Sequence, residues 1–186
     1  GPTRIGLVGF GKGGRYFHAP LIAALAATDE NVEFAGVVTT SDARRAEVAE
    51  FLPGVPVFAS VTELLAAGVD LVTVSTPPSG RGEVVREILE AGVAVVIDKP
   101  FALTTAEARE LLDLAAEKGV PLTVFQNRRW DSEALTVARA VADGELGEIL
   151  HVESVLDRWE PFNQDSSTGG GFLLDLGSHL VDQVLT

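Results

Sequence analysis

The sequence predicts an α/β fold in which a doubly wound parallel sheet is covered by helices on both faces. Short, continuously apolar segments alternate with helical patterns through the first 126 residues, which is typical of parallel strands buried on both faces. A glycine-rich turn joins the first strand to the first helix. Two capping boxes, Ser60 with Glu63 and Thr104 with Glu107, mark further helix starts.

Each element is predicted from its own pattern and boundaries. Strands are predicted at residues 5–8, 32–38, 55–58, 71–74, 93–97 and 122–125, and helices at 16–27, 43–51, 60–68, 83–91 and 104–118. Pro53-Gly54 stops the second helix, Pro77-Pro78 breaks the fourth strand, and Gly92 caps a helix end. Six strands in this alternation predict a doubly wound sheet.

The pattern changes near Asn127, so we divide the chain into residues 1–126 and 127–186. The second part predicts a helix at 132–142, a strand at 149–156, a polar loop at 158–171 and a helix at 172–185. One strand and two helices rarely form an independent core. We therefore expect residues 127–186 to be the beginning of a domain that this chain does not complete.

Charge and composition exclude several classes of partner. The 186 residues carry 14 basic and 27 acidic side chains, a net charge of −13, so neither nucleic acid nor an anionic membrane surface is expected to bind. Cysteine is absent, which excludes disulfides, thiolate nucleophiles and cysteine metal sites. We expect a cytoplasmic protein without a bound metal, and no apolar run is long enough to predict a membrane span.

The turn after the first strand is a candidate dinucleotide site. Its residues are Gly9, Phe10, Gly11, Lys12, Gly13 and Gly14, which fit the pattern G-x-G-x-x-G between a strand and a helix. In this context the first glycine permits the tight turn, the second admits a pyrophosphate, and the third lets helix and strand pack closely. Free N–H groups at the helix start would face the phosphates. The alternative is an ordinary strand–helix turn.

The end of the second strand favours NADP over NAD. A carboxylate there would bind the ribose 2′-hydroxyl and repel a 2′-phosphate, but this strand ends in Thr39, Thr40 and Ser41. Their hydroxyls, with Arg44 and Arg45 close behind, could accept a 2′-phosphate. Alternatively, Ser41 or Asp42 only caps the next helix and both arginines are solvated, and Asp42 could still reach a ribose.

Candidate reactive side chains follow the fifth strand and lie in the last predicted helix. Lys99 comes directly after Asp98 at the carboxyl end of a strand, where open α/β sheets bind ligands. Asp175 and His179 are spaced i, i+4, which places them about 40° apart on one helix face. A histidine held by a carboxylate can act as general acid and base. The alternatives are a surface lysine and an incidental ion pair.

Together these motifs resemble the glucose–fructose oxidoreductase/inositol dehydrogenase (Gfo/Idh/MocA) family over essentially the whole chain. The resemblance rests on three motifs in order: the glycine loop continuing as Arg15-Tyr16-Phe17-His18-Ala19-Pro20, then Asp98-Lys99-Pro100, then Gly171-x-x-x-Asp175-x-Gly177-x-His179-x-x-Asp182. The Phe17-His18-Ala19-Pro20 variant is most similar to the branch that contains NADP-dependent scyllo-inositol dehydrogenases.

The resemblance implies a Rossmann domain followed by an α+β domain with an open, mainly antiparallel sheet. It implies an NAD(P)-dependent dehydrogenase that moves hydride between nicotinamide C4 and a hydroxyl-bearing carbon of a sugar, inositol or other polyol. Lys99 matches the family's lysine, which contacts the reacting hydroxyl and the nicotinamide. His179 matches its acid–base histidine, and Asp175 matches the aspartate that contacts substrate or supports that histidine.

The resemblance and the motifs together define the candidate contacts. Cofactor contacts are expected at Gly9, Phe10, Gly11, Lys12, Gly13, Gly14, Thr39, Thr40, Ser41, Arg44, Thr76, Pro77, Asp98 and Lys99. Substrate contacts are expected at Lys99, Gln126, Arg128, Asp175 and His179, although residues 126–130 could simply be a polar linker. The chain departs from the family at Asp98, where glutamate is common, and at Arg81, where histidine is common.

Two further expectations follow from this reading. A nicotinamide-binding sensor without catalysis is the alternative function, but a sensor has no need of Lys99, Asp175 and His179 together. The resemblance implies a homo-oligomer, a dimer or tetramer joined through the second-domain sheet. Without that sheet the last helix would expose its apolar face, formed by Leu173, Leu176, Leu180 and Val184, and the chain made alone would aggregate, associate or lack turnover.

Overall fold

The computed structural model describes residues 1–157 and 171–186. These fall into two compact units, Gly1–Val124 and Phe125–Thr186. We describe each unit by itself. Within the described ranges, no helix is both long and apolar enough to cross a bilayer.

The first unit is built on a doubly wound sheet, which confirms the predicted fold class. Its strands are β1 Thr3–Val8, β2 Val32–Val38, β3 Val57–Phe58, β4 Leu71–Val74, β5 Ala94–Asp98 and β6 Leu122–Phe125, in the order β3-β2-β1-β4-β5-β6. β1 pairs with β2 and β4, β2 with β3, and β4 with β5, all in parallel. The strand order reverses between β1 and β4, so a ligand crevice is expected at their carboxyl ends.

Helices start where the sequence predicts caps. A π-helical turn, Gly14–His18, leads into α1 Ala19–Thr28, followed by α2 Asp42–Phe51, α3 Val61–Ala66, α4 Arg81–Glu90 and α5 Thr105–Lys118. The Ser60 hydroxyl accepts a hydrogen bond from the Glu63 amide at 3.1 Å, and the Glu63 carboxylate accepts one from the Ala59 amide at 2.8 Å. Thr104 and Glu107 make the same pair of bonds at the start of α5.

The helices bury apolar side chains on both faces of the sheet. One core contains Ile22 of α1 and Val48 of α2 beneath Ile5 and Leu7 of β1. The opposite core is formed by Leu64 of α3, Ile88 of α4 and Leu111 of α5, with side chains of β4 and β5. Each such side chain contributes about 1.5–3 kcal/mol when it leaves water. This two-sided burial fixes the strand ends that carry the candidate site.

The second unit contains a 3₁₀ turn, Asn127–Trp130, and three described helices. These are α6 Ser132–Ala142, α7 Gly171–Asp175 and α8 Gly177–Leu185. Arg129 holds Asp182 of α8 through two hydrogen bonds of 2.7 and 2.6 Å, a bidentate pair. The bond to Asp182 raises the pKa of Arg129. Gln183 donates to the Arg128 carbonyl at 2.8 Å, so α8 and the turn form one local structure.

The predicted strand at 149–156 is wrong, because those residues have no regular structure. Leu150 is 86% exposed, Val152 56% and Val155 70%. A strand needs a neighbour for its backbone hydrogen bonds, and no described strand lies beside this segment. The alternating pattern of residues 149–156 favours a strand, but a favourable pattern does not form a strand without a partner. The predicted loop lies outside the described residues, apart from Gly171, which begins α7.

The predicted single helix at 172–185 is also wrong, since Leu176 separates α7 from α8. The break lies beside Gly177, a residue type that costs a helix interior about 1 kcal/mol relative to alanine. The Ser178 hydroxyl donates to the carbonyl of Asp175 at 3.3 Å, at the end of α7. The main-chain carbonyl of Leu176 accepts the amide of His179 at 3.1 Å and starts the next helix.

Candidate cofactor-binding and catalytic site

The glycine loop passes directly beside the end of β4. Gly9 has φ +96° and its amide donates to the Val38 carbonyl at 3.0 Å. A Cβ on Gly9 would lie 2.5 Å from the main-chain oxygen of Ser75, and one on Gly14 would overlap the carbonyl of Gly9. Both positions therefore require glycine, one for backbone conformation and both for close packing. The loop is built for the strand–turn–helix contact that the sequence predicts.

Two features of this loop fit a bound dinucleotide. A Cβ on Gly11 would meet no atom of the described residues within 4 Å, so residues 1–157 and 171–186 leave space where the motif brings a pyrophosphate to the backbone. The hydroxyl of Thr76 is buried and has no hydrogen-bond partner among the described residues. Thr76 lies against the loop, since its Cγ2 would be 3.2 Å from a Cβ on Gly9. Pro77 follows it and is exposed.

Asp98 joins three segments at the carboxyl edge of the sheet. Its carboxylate accepts hydrogen bonds from the Ser75 hydroxyl at 2.8 Å and from the Lys99 amide at 2.9 Å, and it lies 3.4 Å from Nε2 of His18. Burial acts to raise the pKa of Asp98. The hydrogen bonds and charges of His18, Ser75 and Arg81 outweigh burial, so the pKa is lowered from its usual value.

Gly13 allows this arrangement although it is not one of the three motif glycines. A Cβ at Gly13 would lie 2.5 Å from Oγ of Ser75 and 2.6 Å from Oδ2 of Asp98. The helix start, β4 and β5 therefore meet at one point. Lys99 leaves β5 from this point and is half-buried.

Arg81, the first residue of α4, links the ends of β4 and β5. Its side chain is 4% exposed. Its guanidinium donates to the main-chain carbonyls of Thr76, Asp98 and Pro100. Desolvation by burial lowers the pKa of Arg81, while the charges of Asp98 and Glu107 oppose that shift.

At the end of β2, the structure shows the capping role that the sequence left as an alternative. The Ser41 hydroxyl accepts a hydrogen bond from the Arg44 amide at 3.4 Å and caps α2. Thr39 is buried, and its hydroxyl accepts the Ser41 amide at 3.4 Å. Thr40 and Arg44 are exposed, while Arg45 lies 3.9 Å from Asp42. Exposed positions at this edge leave Thr40 and Arg44 available to a cofactor.

The second unit carries the remaining candidate residues. His179 is 5% exposed in the first turn of α8, whereas Asp175 ends α7 and is exposed. Because the helix breaks between them, they do not share one continuous helix face. Gln126 precedes the 3₁₀ turn, and Arg128 within it lies 3.3 Å from Asp131.

Three buried residues of the site were not assigned a role from the sequence. These are His18, Ser75 and Arg81, which surround Asp98 and are 4%, 8% and 4% exposed. The only sequence signals were the Phe17-His18-Ala19-Pro20 motif and the departure at Arg81. Neither signal indicates that the three residues converge, because they lie on different elements and meet only in the folded sheet.

Comparison with known proteins identifies the chain's class. A sequence profile described as an oxidoreductase family with an NAD-binding Rossmann fold, GFO_IDH_MocA, matches residues 3–126. A profile of the GFO/IDH/MocA C-terminal domain matches residues 134–186. The chain belongs to this family of NAD(P)-binding oxidoreductases.

Individual relatives share the whole of this chain. It is 39% identical over 191 residues to an oxidoreductase of Schizosaccharomyces pombe, covering 100% of the chain and 51% of the relative. It is 32% identical to the scyllo-inositol 2-dehydrogenase (NADP(+)) IolW of Bacillus subtilis, covering 98% and 51%. The chain thus spans about half the length of the curated relatives it matches.

Solved structures share its fold. An oxidoreductase of Bacillus subtilis superposes with a TM-score of 0.88 at 32% identity, covering 100% of this chain and 51% of that one. GenD2 from gentamicin A biosynthesis, solved in complex with NAD, superposes with a TM-score of 0.78 at 26% identity, covering 98% and 52%.

Proposed function

We propose that this chain carries the cofactor site and the reacting groups of an NAD(P)-dependent dehydrogenase acting on a sugar, inositol or related polyol. The observation that carries the proposal is the position of Lys99. It leaves the sheet where Asp98 binds both its amide and Ser75, directly beside the glycine loop. The name of IolW, an NADP-dependent inositol dehydrogenase, supports this substrate class.

The chemistry assigns a role to each candidate side chain. The bound nicotinamide supplies the hydride acceptor or donor. Oxidation of an alcohol also needs a base for the hydroxyl proton, and an imidazole such as that of His179 can accept and return a proton. The Lys99 ammonium would stabilise the developing alkoxide. Asp175 would bind substrate or orient the imidazole, and Gln126 and Arg128 are proposed substrate contacts.

Cofactor contacts are proposed at two places, the glycine loop beside the end of β4 and the junction of β2 with α2. Backbone amides of Gly11, Lys12 and Gly13 would face the phosphates. The Thr76 hydroxyl, which has no hydrogen-bond partner among the residues that the structure describes, would bind the cofactor, because a buried hydroxyl left unpaired is costly. Thr40, Ser41 and Arg44 would face the ribose and favour a 2′-phosphate. A cytoplasmic homo-oligomer is the setting we propose.

The test is turnover and cofactor affinity measured together, in protein expressed from its complete gene. We expect Lys99→Ala and His179→Ala each to lower kcat by about 10²-fold or more, with little change in cofactor Kd. Lys118→Ala, which removes an exposed lysine of α5, is the matched control and should leave kcat unchanged. Tight cofactor binding without turnover on any polyol would instead favour a sensor, and normal turnover in His179→Ala would remove the histidine from the mechanism.

A further inference from the structure

The buried guanidinium of Arg81 donates its hydrogen bonds to main-chain carbonyls. At 4% exposure, its Nε donates to the Thr76 carbonyl at 2.9 Å, as does Nη2, and its Nη1 donates to the carbonyls of Asp98 and, at 2.8 Å, Pro100. Burying a guanidinium is unfavourable unless its donors are satisfied and its charge is compensated. Asp98 and Glu107 supply the compensating charge.

Two of the three carbonyls that Arg81 binds belong to the residues on either side of Lys99. Asp98 precedes Lys99 and Pro100 follows it, so Nη1 holds the peptide group that enters the lysine and the one that leaves the proline after it. The Asp98 carboxylate holds the Lys99 amide itself at 2.9 Å. The peptide group between Asp98 and Lys99 is thus held at both its carbonyl and its amide, and the chain is held again at the Pro100 carbonyl, which fixes the direction in which the Lys99 side chain leaves the sheet.

The same guanidinium reaches the neighbouring strand end. Thr76 follows β4, and its buried hydroxyl, which lies against the glycine loop, has no hydrogen-bond partner among residues 1–157 and 171–186. A methionine would fill much of the same volume without the desolvation cost, but it would join neither segment. A planar fork of donors joins both at once.

We propose that Arg81 is a positioning residue, which sets Lys99 and Thr76 at a fixed separation across the ends of β4 and β5. The proposal rests on the proposed function only for the roles of Lys99 toward the substrate and of Thr76 toward the cofactor. It does not make Arg81 a contact of substrate or cofactor. It also accounts for arginine at the position where the resemblance leads us to expect histidine.

The first test reads Lys99 directly and needs no reaction. The chain has three lysines, Lys12, Lys99 and Lys118, so ¹³C-dimethylation gives a small set of NMR signals that lysine-to-arginine variants assign. We expect Arg81→Met and Arg81→Lys to shift the Lys99 signal while leaving that of Lys118 in place. The lysine variant keeps the buried charge but cannot reproduce the fork, so it serves if the methionine variant does not fold.

Arg4 offers a matched control near the start of β1, at the amino ends of the strands. Its Nη1 donates to the Ala67 carbonyl at 2.8 Å and its Nη2 lies 3.2 Å from Glu33. Arg4→Met should leave the Lys99 signal unchanged. An unshifted Lys99 signal in folded Arg81→Lys, or an equal shift in Arg4→Met, would overturn the proposal.

The second test separates positioning from loss of stability. In protein expressed from its complete gene, Arg81→Lys should lower kcat by about tenfold or more, as small misplacements of a reacting group do, at a temperature where it is fully folded. Arg4→Met should leave kcat within about twofold. A normal kcat in folded Arg81→Lys would overturn the proposal. A wild-type protein without turnover would contradict the proposed function alone, because the NMR comparison would still decide the role of Arg81.

Discussion

At the scale of single residues, the candidate site depends on Asp98. Its carboxylate joins the helix that begins in the glycine loop, through His18, to the ends of β4 and β5, through Ser75 and Lys99. A carboxylate that accepts several hydrogen bonds in a mostly buried position is stabilised in its ionised form. The charge of Asp98 is therefore part of the fold as well as part of the site.

The lowered pKa of Asp98 predicts a pH dependence of stability. Because its folded pKa lies below its unfolded value, near 3.8, its contribution is full above the unfolded value and is lost as pH falls through the folded one. Asp98→Asn should lower the free energy of unfolding by about 2 kcal/mol at neutral pH, measured by urea titration. The difference from wild type should shrink on acidification below pH 3.8.

An exposed carboxylate provides the control for Asp98. Asp113→Asn, on the outer face of α5, should change the free energy of unfolding by no more than about 0.5 kcal/mol at neutral pH. A difference between wild type and Asp98→Asn that stayed constant down to pH 2 would contradict the prediction.

Two neighbouring glycines should separate folding from cofactor binding. Gly11→Ala adds a methyl group where no atom of the described residues lies within 4 Å, so stability should hold. The methyl group would occupy the space proposed for the pyrophosphate, so cofactor Kd should rise about tenfold or more, a loss of about 1.4 kcal/mol. Gly13→Ala places a methyl group against Ser75 and Asp98 and should cost about 1–3 kcal/mol of stability. Thermal unfolding and calorimetric titration measure the two effects. Equal behaviour of the two variants would refute this reading of the loop.

At the scale of elements, the proposed preference for NADP depends on the junction of β2 and α2. The Ser41 hydroxyl accepts the Arg44 amide and caps α2, and its hydrogen is still available to donate to a cofactor. We propose that discrimination rests on Ser41, on the exposed Thr40 and Arg44, and on the absence of a carboxylate at Thr39. An arginine–phosphate bond is charge-assisted and stronger than a neutral one.

Substitutions at this junction should therefore change the preference between NADP and NAD. Arg44→Ala and Thr39→Asp should each weaken NADP binding more than NAD binding, measured by calorimetric titration of both cofactors. Arg86→Ala removes the same charge on α4, where it pairs with Glu110 at 3.1 Å, and should change neither affinity. Tighter binding of NAD than of NADP by the unmutated protein would contradict the NADP preference.

At the scale of the whole molecule, the two units differ in their cores. Within the described ranges, every buried hydrophobic side chain belongs to the first unit, the last in sequence being Ala115. In the second unit, Leu150, Leu173 and Leu185 are 86%, 79% and 81% exposed. Exposed apolar groups on this scale are typical of surfaces that other protein covers.

The second unit's exposed leucines predict self-association of the 186-residue polypeptide. We expect light scattering to detect oligomers or aggregates at micromolar concentration, and the triple variant Leu150→Gln, Leu173→Gln, Leu185→Gln to shift the distribution towards monomer. A triple variant at exposed polar sites of the first unit, Thr40→Gln, Asp113→Gln and Lys118→Gln, is the control. A monomeric wild-type chain with full turnover would overturn the prediction.

The sequence by itself determined the first unit's sheet, helices and glycine loop. Those features depend on local signals: continuous apolar strands such as β4, capping residues such as Ser60 and Thr104, and glycines at positions that leave no room for a side chain. Each signal lies within a few residues of the structure that it predicts. The strands still need partners, and the other strands of the same unit supply them.

Only the tertiary structure decided what surrounds Asp98 and what became of the second unit. His18, Ser75, Arg81 and Asp98 lie on four segments, and no local pattern predicts that they meet. The alternation at 149–156 and the i, i+4 spacing of Asp175 and His179 are local signals too, but a strand requires a partner and a helix must continue through Gly177. The surroundings of Asp98 depend on hydrogen bonds and burial between residues far apart in the sequence, and residues 149–156 have no strand beside them in the part of the chain that the structure describes. The helix break beside Gly177 has a local cause instead, because glycine weakens a helix interior.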